Sequence, residues 1–319
     1  MEEAGMTDDE MIAAYIKLFR GRGDALGTWE GGSQRVEVQP EHFADHLQST
    51  YQNEWMGVYP HLGDRGVSWG CIDIDGKDFP RVIDDPDCGH DWAAMLHLAH
   101  KIQAVLDYKA VFAHIEQTRN GYHLWVFPEA GIVPAAFMRR ALMAACKACN
   151  YDPKEVNPKQ EEMPSGKLGN YVRLPYYGWM SSNGEQADRY FLDDYGQQLT
   201  LGRFLDAVKL TATDALEAVS QLWTPPVVAT FDGPPPEELE PIIKTLSGMA
   251  YTIWKDGPLE GRDRSNTLAK LAYRLRDDGV EMPTGFAVVK DADRRWGKFA
   301  DRPDCDEQIM NIMQRAYIA

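Results

Sequence analysis

The sequence predicts an α+β fold: an RRM-like mixed or antiparallel sheet in the order β-α-β-β-α-β, followed by a small all-α unit. Three observations carry that expectation. Strand-like segments with period-two alternation gather between residues 56 and 174, interleaved with two long helical patterns. A proline-rich, acidic stretch, TPPVVATFDGPPPEELEP at 224–241, interrupts the chain. Beyond it the sequence is helical in period, with almost no strand signal. The expected organisation is an α+β unit over 1–223, a stiff connector over 224–241 and a helical unit over 242–319.

Each element has its own signal. Residues 8–19, DDEMIAAYIKLF, read as an amphipathic helix with acids in its first turn. A glycine-rich polar stretch, 20–32, follows, and Pro40 opens a short helix over 41–47. Strands are expected at 56–59 and 68–75. Residues 91–108 form a long helix with Trp92, Met95, Leu96, Ala99, Ile102 and Leu106 on one face. Strands at 110–116 and 122–127 flank the turn Thr118-Arg119-Asn120-Gly121. A second helix covers 134–150, and 155–157 and 170–174 are extended. In the last segment Leu268, Leu271, Ala272 and Leu275 make a core stripe.

Composition bounds the function. With 319 residues, 44% hydrophobic and 11% aromatic, the chain can fill a core, which excludes disorder as its main state. No apolar run approaches the roughly 18 residues of a membrane helix, and the acidic start MEEAGMTDDE lacks a secretory pattern. A cytoplasmic protein is expected. The formal charge of −16 looks hostile to nucleic acid. The acids are segregated, however, with five in residues 1–10 and four in 232–240, whereas 262–302 holds ten bases and seven acids. The local field along a groove is what matters. Five cysteines, an odd number, suit a reducing compartment. Cys146 and Cys149, with Cys88 and His90, could make a four-ligand zinc site on paper, but without a second CxxC they read as buried thiols and no structural zinc is expected.

Three segments carry chemistry. Asp73 and Asp75 alternate with apolar Cys71, Ile72 and Ile74, so a strand puts both carboxylates on one face, about 7 Å apart. Such a pair repels unless a cation neutralises it, and Mg²⁺ or Mn²⁺ suits oxygen ligands; an Asp pair at a strand end can also simply cap the next loop. His123 starts a strand face shared with Trp125 and Phe127, just after an Arg-containing turn, where an imidazole can meet a phosphate or serve as a satisfied structural histidine. The segment 154–175 supplies Glu155 together with Lys159, Lys167 and Arg173. Carboxylates for metals and bases for phosphates are the makings of a nucleotide-triphosphate pocket.

These residues resemble the motifs of the archaeo-eukaryotic primase superfamily, the primase-polymerases. Its first motif, hhhDhD/E, is matched by Gly70-Cys71-Ile72-Asp73-Ile74-Asp75. The second, a small residue, any residue, then His, is matched by Gly121-Tyr122-His123. The third, an apolar residue then an acid, is matched to Glu155, although Lys154 precedes it, which leaves Asp152 as a rival. LFRGR at 18–22, HL at 46–47, GVYP at 57–60, PKQ at 158–160 and GNYVRLP at 169–175 follow the order seen in primases of phages and mobile conflict elements. The resemblance covers roughly residues 15–200, a domain's length. More loosely, GRDRSNTLAKLAYRLRDDGV and DEQIMNIMQRAY are similar to the helical domain that follows such cores.

The resemblance implies an α+β core of the archaeo-eukaryotic primase type and a DNA-dependent primase-polymerase acting in phage or mobile-element replication. Asp73, Asp75 and Glu155 would bind two divalent ions, Mg²⁺ or Mn²⁺. His123 would hold the triphosphate, aided by Arg119, Lys159 and Arg173, with Asn120 and Gly121 offering backbone donors. Tyr59 would contact the sugar. Template contact is expected from Arg20, Arg22, Trp29 and Trp69 and from basic helices around Arg274 and Arg294. The implied partners are single-stranded DNA, dNTP or NTP, and a replicative helicase, since the chain has no GxxxxGK[ST] motif. Alternatives are a gap-filling polymerase of the same superfamily and a non-catalytic replication adaptor. A replication-origin nickase needs a His-x-His pair that the chain lacks.

Overall fold

In a computed structural model of the full chain, the described residues are 6–51, 55–79, 90–163, 166–181, 187–223, 236–246, 248–258, 263–300 and 305–317. The chain divides into two compact units, Met1–Pro225 and Pro226–Ala319. The first contains α1 (Asp8–Phe19), β1 (Leu26–Thr28), β2 (Ser33–Gln34), α2 (Pro40–Gln48), β3 (Met56–Val58), β4 (His61–Leu62), β5 (Gly66–Val67) and β6 (Gly70–Asp75). It continues with α3 (Trp92–Asp107), β7 (Ala113–Gln117), β8 (Gly121–Val126), β9 (Val133–Pro134), α4 (Ala135–Ala148) and β10 (Glu155–Asn157). β11 (Val172–Arg173), β12 (Tyr190–Phe191), α5 (Leu201–Ala207) and α6 (Thr213–Ser220) complete it.

The central sheet has the order β10-β6-β8-β7-β12, every neighbouring pair antiparallel. Its first four strands, with α3 and α4, realise the expected β-α-β-β-α-β unit. Two smaller sheets, β11-β3-β1-β2 and β4-β5-β9, flank it. Period-two alternation divides the residues of the central sheet between two cores. Ile72, Ile74, Ile115, Leu124 and Val126 pack on α3 and α4 through Met95, Ile102, Met138 and Leu142. On the opposite face Cys71, Trp125, Phe127 and Phe191 pack on Tyr15, Phe19, Phe43, Leu47 and Phe204. Each fully buried large side chain contributes about 1.5–3 kcal/mol. The second core ends at Cys71 and Trp125, so the ends of β6 and β8 that carry Asp73, Asp75 and His123 lie beyond its apolar packing.

Some elements differ from expectation. Part of the polar stretch 20–32 is a hairpin, β1–β2, with register Leu26↔Gln34. Its glycine is a packing device, because a Cβ on Gly27 would sit 2.3 Å from the Tyr171 ring, which also covers Gly57. α5 and α6 were not anticipated; they bury Phe204, Leu216 and Val219 in the two cores.

In the second unit α7 (Pro236–Ile243) begins inside the stretch expected as connector, whose residues 224–235 lie outside the described ones. Proline is tolerated in a first turn, and Leu239 and Ile243, four apart, reach the core. α8 (Gly248–Asp256), α9 (Arg264–Asp277), α10 (Met282–Trp296) and α11 (Cys305–Tyr317) complete the bundle. The stripe Leu268, Leu271, Ala272 and Leu275 faces Phe286, Val289, Ile309 and Met313. Cys146 and Cys149 are buried free thiols of the first unit, and Cys88 lies outside the described residues. Among the described residues no helix is long and apolar enough to cross a membrane.

Candidate active site

Strand register builds the site. Glu155 on β10 lies opposite Asp73 on β6, Asp73 opposite His123 on β8, and His123 opposite Glu116 on β7. Residues directly opposite share a face, so four chemical side chains form one row across four strands, spaced by the roughly 4.8 Å between neighbours. Asp75, two residues along β6, is on the same face, opposite Gly121. Glu155 is the first residue of β10 and in the row, whereas the exposed Asp152 precedes the strand.

Each carboxylate has its own local partner. Glu155 Oε1 accepts from Asn170 Nδ2 at 3.0 Å and from Asn157 Nδ2 at 3.5 Å. Asp75 accepts from the backbone N–H of Lys77 at 3.0 Å and pairs with its ammonium at 2.5 Å. Burial pushes the Asp75 carboxyl up, but these Lys77 contacts outweigh it and hold the group below the usual carboxylate range. Asp73 lies 3.7 Å from His123 Nε2. Burial raises its carboxyl, opposed by His123 and reinforced by the negative charges of Asp75 and Glu155. Three hard oxygen donors on one face, one of them destabilised as an anion by the other two, fit divalent cations. As the side chains stand, no three His, Cys, Asp or Glu among the described residues close into a metal cluster.

His123 is held from behind. Its Nδ1 is 3.0 Å from Glu116 Oε2 and 2.8 Å from Arg189 Nη2. Glu116, 0% exposed, accepts from Arg189 Nε at 2.7 Å and from Trp125 Nε1 at 2.5 Å. Burial pushes the Glu116 carboxyl up, and the charges of Arg189 and His123 override it, leaving it at about 2. Sequence reasoning missed Glu116, Arg189, Lys77 and Asn170. Glu116 had a signal, since a turn over 118–121 sets the register that puts it opposite His123. Arg189 had none, coming from β12's edge 66 residues away.

Other candidates divide. Arg119 and Asn120 are exposed in the turn beside Asp75, where Asn120 O accepts from the Gly76 N–H at 2.8 Å. The Asn120 N–H bonds the Thr118 hydroxyl at 3.4 Å, so that donor is turned into the loop rather than toward an anion. Lys159 is exposed just past β10. Arg173 donates to Asp188 at 3.0 Å, next in sequence to Arg189, and its guanidinium lies 4.8 Å from the Trp55 ring centre.

Two assignments are corrected. Tyr59 is 1% exposed, with its hydroxyl 2.5 Å from Ser33 Oγ and its ring against Tyr171, so it offers no face to a sugar. Trp69 is 0% exposed, donates to Arg20 O at 3.1 Å and packs on Trp125, so no template base can stack on it. Arg22 pairs with Asp24 and donates to Lys167 O at 2.9 Å. The exposed Arg20 neighbours Gly131, past the Phe127 end of the aromatic face, away from His123. Trp29 is exposed at the β1–β2 turn. Arg274 and Arg294 are exposed on the second unit.

A family model described as the archaeo-eukaryotic primase domain of TOTE conflict systems matches residues 30–219. Among solved structures, primase RepB' is similar at 11% identity over 96% of this chain and 93% of that chain, with a TM-score of 0.33. No curated relative matches the chain.

Proposed function

The chain belongs to the archaeo-eukaryotic primase family of TOTE conflict systems, and from that premise we propose that this primase-type nucleotidyltransferase starts chains on single-stranded DNA and extends them. The observation that carries the proposal is the row Glu155, Asp73, His123, with Asp75 beside it, drawn from three strands onto one face.

The chemistry follows from those groups. Asp73, Asp75 and Glu155 would hold divalent ions, Mg²⁺ or Mn²⁺, which when bound activate a 3′-hydroxyl and neutralise phosphate charge. Asn170 and Asn157 orient the Glu155 carboxylate. His123 presents Nε2, the nitrogen on the Asp73 side, as a donor to the triphosphate. Lys77, 66% exposed at its side chain and resting on Asp75, carries an ammonium on a flexible stem that would reach the phosphates. Arg119, in the turn before β8, Lys159, just past β10, and Arg173, on β11, would offset the charge that grows on the leaving pyrophosphate. Arg22, Trp29, Arg274 and Arg294 are sequence-tolerant candidates for the template, through charge and stacking. Replication of a phage or mobile element, with a helicase as partner, is the setting we propose.

An unprimed single-stranded DNA template with labelled dNTP or NTP and Mg²⁺ or Mn²⁺ tests initiation. Short products that vanish in Asp73→Ala/Asp75→Ala support it. Extension of a primed template with no unprimed product would replace it by the gap-filling reading.

A further inference from the structure

The imidazole of His123 cannot do its proposed work unless something fixes its plane. A histidine on a strand rotates about two side-chain bonds, and a group that grips phosphate must be held near its productive geometry. What surrounds the ring is more elaborate than a core requires. Glu116, a carboxylate with no exposure, receives two donors, Arg189 Nε and Trp125 Nε1, and its Oε2 lies 3.0 Å from His123 Nδ1. Arg189 is itself 6% exposed. Taking two charges out of water is costly, and replacing a buried ion pair by apolar groups of similar volume is often neutral or stabilising. The pair therefore needs a reason beyond folding.

We infer that Glu116 and Arg189 are positioning residues for His123, which lock the ring so that Nε2 is its phosphate-facing donor. The inference rests on the primase-type reading of the site. The geometry is specific. Both neighbours meet the ring at one atom, Nδ1, at 3.0 Å and 2.8 Å. Nε2 is left on the side of Asp73, 3.7 Å from its Oδ1. Arginine only donates. When Arg189 Nη2 donates to Nδ1, that nitrogen has no proton for Glu116, which then acts on the ring through Arg189, and the proton of a neutral ring sits on Nε2, where it can point at a phosphate oxygen. Glu116 holds the guanidinium by its Nε at 2.7 Å, so that Arg189 Nη2 faces the ring. Trp125 Nε1 fixes the other side of Oε2. The arrangement parallels the outer shell of metal-binding histidines, in which a partner on one ring nitrogen orients the other. Here the atom being aimed is a phosphate donor.

A double-mutant cycle on the full chain tests this. Binding of a non-hydrolysable deoxynucleoside or nucleoside triphosphate with Mn²⁺ is measured by calorimetry for wild type, Glu116→Gln, His123→Ala and the double variant. His123→Ala is expected to weaken binding, and Glu116→Gln to weaken it by about 10-fold in the wild-type background. In the His123→Ala background Glu116→Gln should add nothing, because there is no ring left to position. Arg189→Lys, which keeps the charge but not the fork, should lose binding, and Arg189→Met with Glu116→Gln, which removes both charges, supplies a second variant should the single one not fold. Equal weakening by Glu116→Gln in both backgrounds would mean a purely structural role and overturn the inference. So would unchanged binding in Glu116→Gln while His123→Ala loses it, a result that leaves the primase-type reading intact. If His123→Ala binds triphosphate like wild type, the role of His123 in that reading fails and the inference falls with it.

Discussion

Asp73 sits at the centre of the row, with Glu155 on one side and His123 on the other. Its carboxyl is raised by burial and by Asp75 and Glu155, which is the electrostatic cost of gathering three acids. Asp73→Asn should therefore cost little stability, or even stabilise the fold, while nucleotidyl transfer falls by about a thousandfold or more, the several kcal/mol that charge neutralisation supplies. Thermal melts beside primer extension check both halves. A second residue-scale prediction concerns acid. His46 is buried, its Nε2 2.9 Å from Pro175 O while its Nδ1 accepts from the Met56 N–H at 3.2 Å. Burial lowers it from 6.5 to about 3. The unfolded chain then binds more protons between those values, so the His46 contribution is complete above 6.5 and is lost as pH falls toward about 3. Glu116 adds its own loss below 4.5, toward about 2. Denaturant titrations across pH should show stability falling from 6.5 downward, and His46→Gln should flatten the slope between 6.5 and 4.5. An unaltered slope would mean that His46 is not the group responsible. The acids and His123 were legible because alternation and motif spacing fix their faces. Tyr59 and Trp69 were misjudged because an aromatic at a strand end reads alike whether it faces solvent or a second layer.

At the scale of elements, β6 and β8 do most of the positioning, and Gly121 keeps them in register. A Cβ there would lie 2.0 Å from the Ile74 carbonyl oxygen, across from Asp75. Gly121→Ala should push the strands apart at the site, lowering stability by about 1–3 kcal/mol and reducing nucleotide incorporation more than a distant core variant of equal stability cost. Chemical denaturation paired with extension assays measures both. The strands and helices of the β-α-β-β-α-β unit were readable because each is long enough to show its period. β1, β2, β4, β5 and β9 are two or three residues each, too short for alternation to register. α7 was hidden by prolines and acids, which suit a connector and a helix start equally well.

For the molecule as a whole, the chain's two compact units, Met1–Pro225 and Pro226–Ala319, each have a core of their own. Residues 1–225 alone should melt cooperatively and still extend a primed template, while synthesis on unprimed DNA falls, since holding two nucleotides without a primer calls for additional binding surface. Comparing both activities for the truncated and full chains checks this; equal initiation by both would assign that step to the first unit. The net charge of −16 argues against nucleic acid only as an average, because the acids are segregated along the chain. The most direct measurement is incorporation of labelled nucleotide onto a primed single-stranded template with Mg²⁺ or Mn²⁺, wild type against Asp73→Ala/Asp75→Ala at matched folding. Extension by the wild type and none by the variant is the predicted result. Equal extension by both, or none by the wild type with either ion and either nucleotide class, would contradict the account.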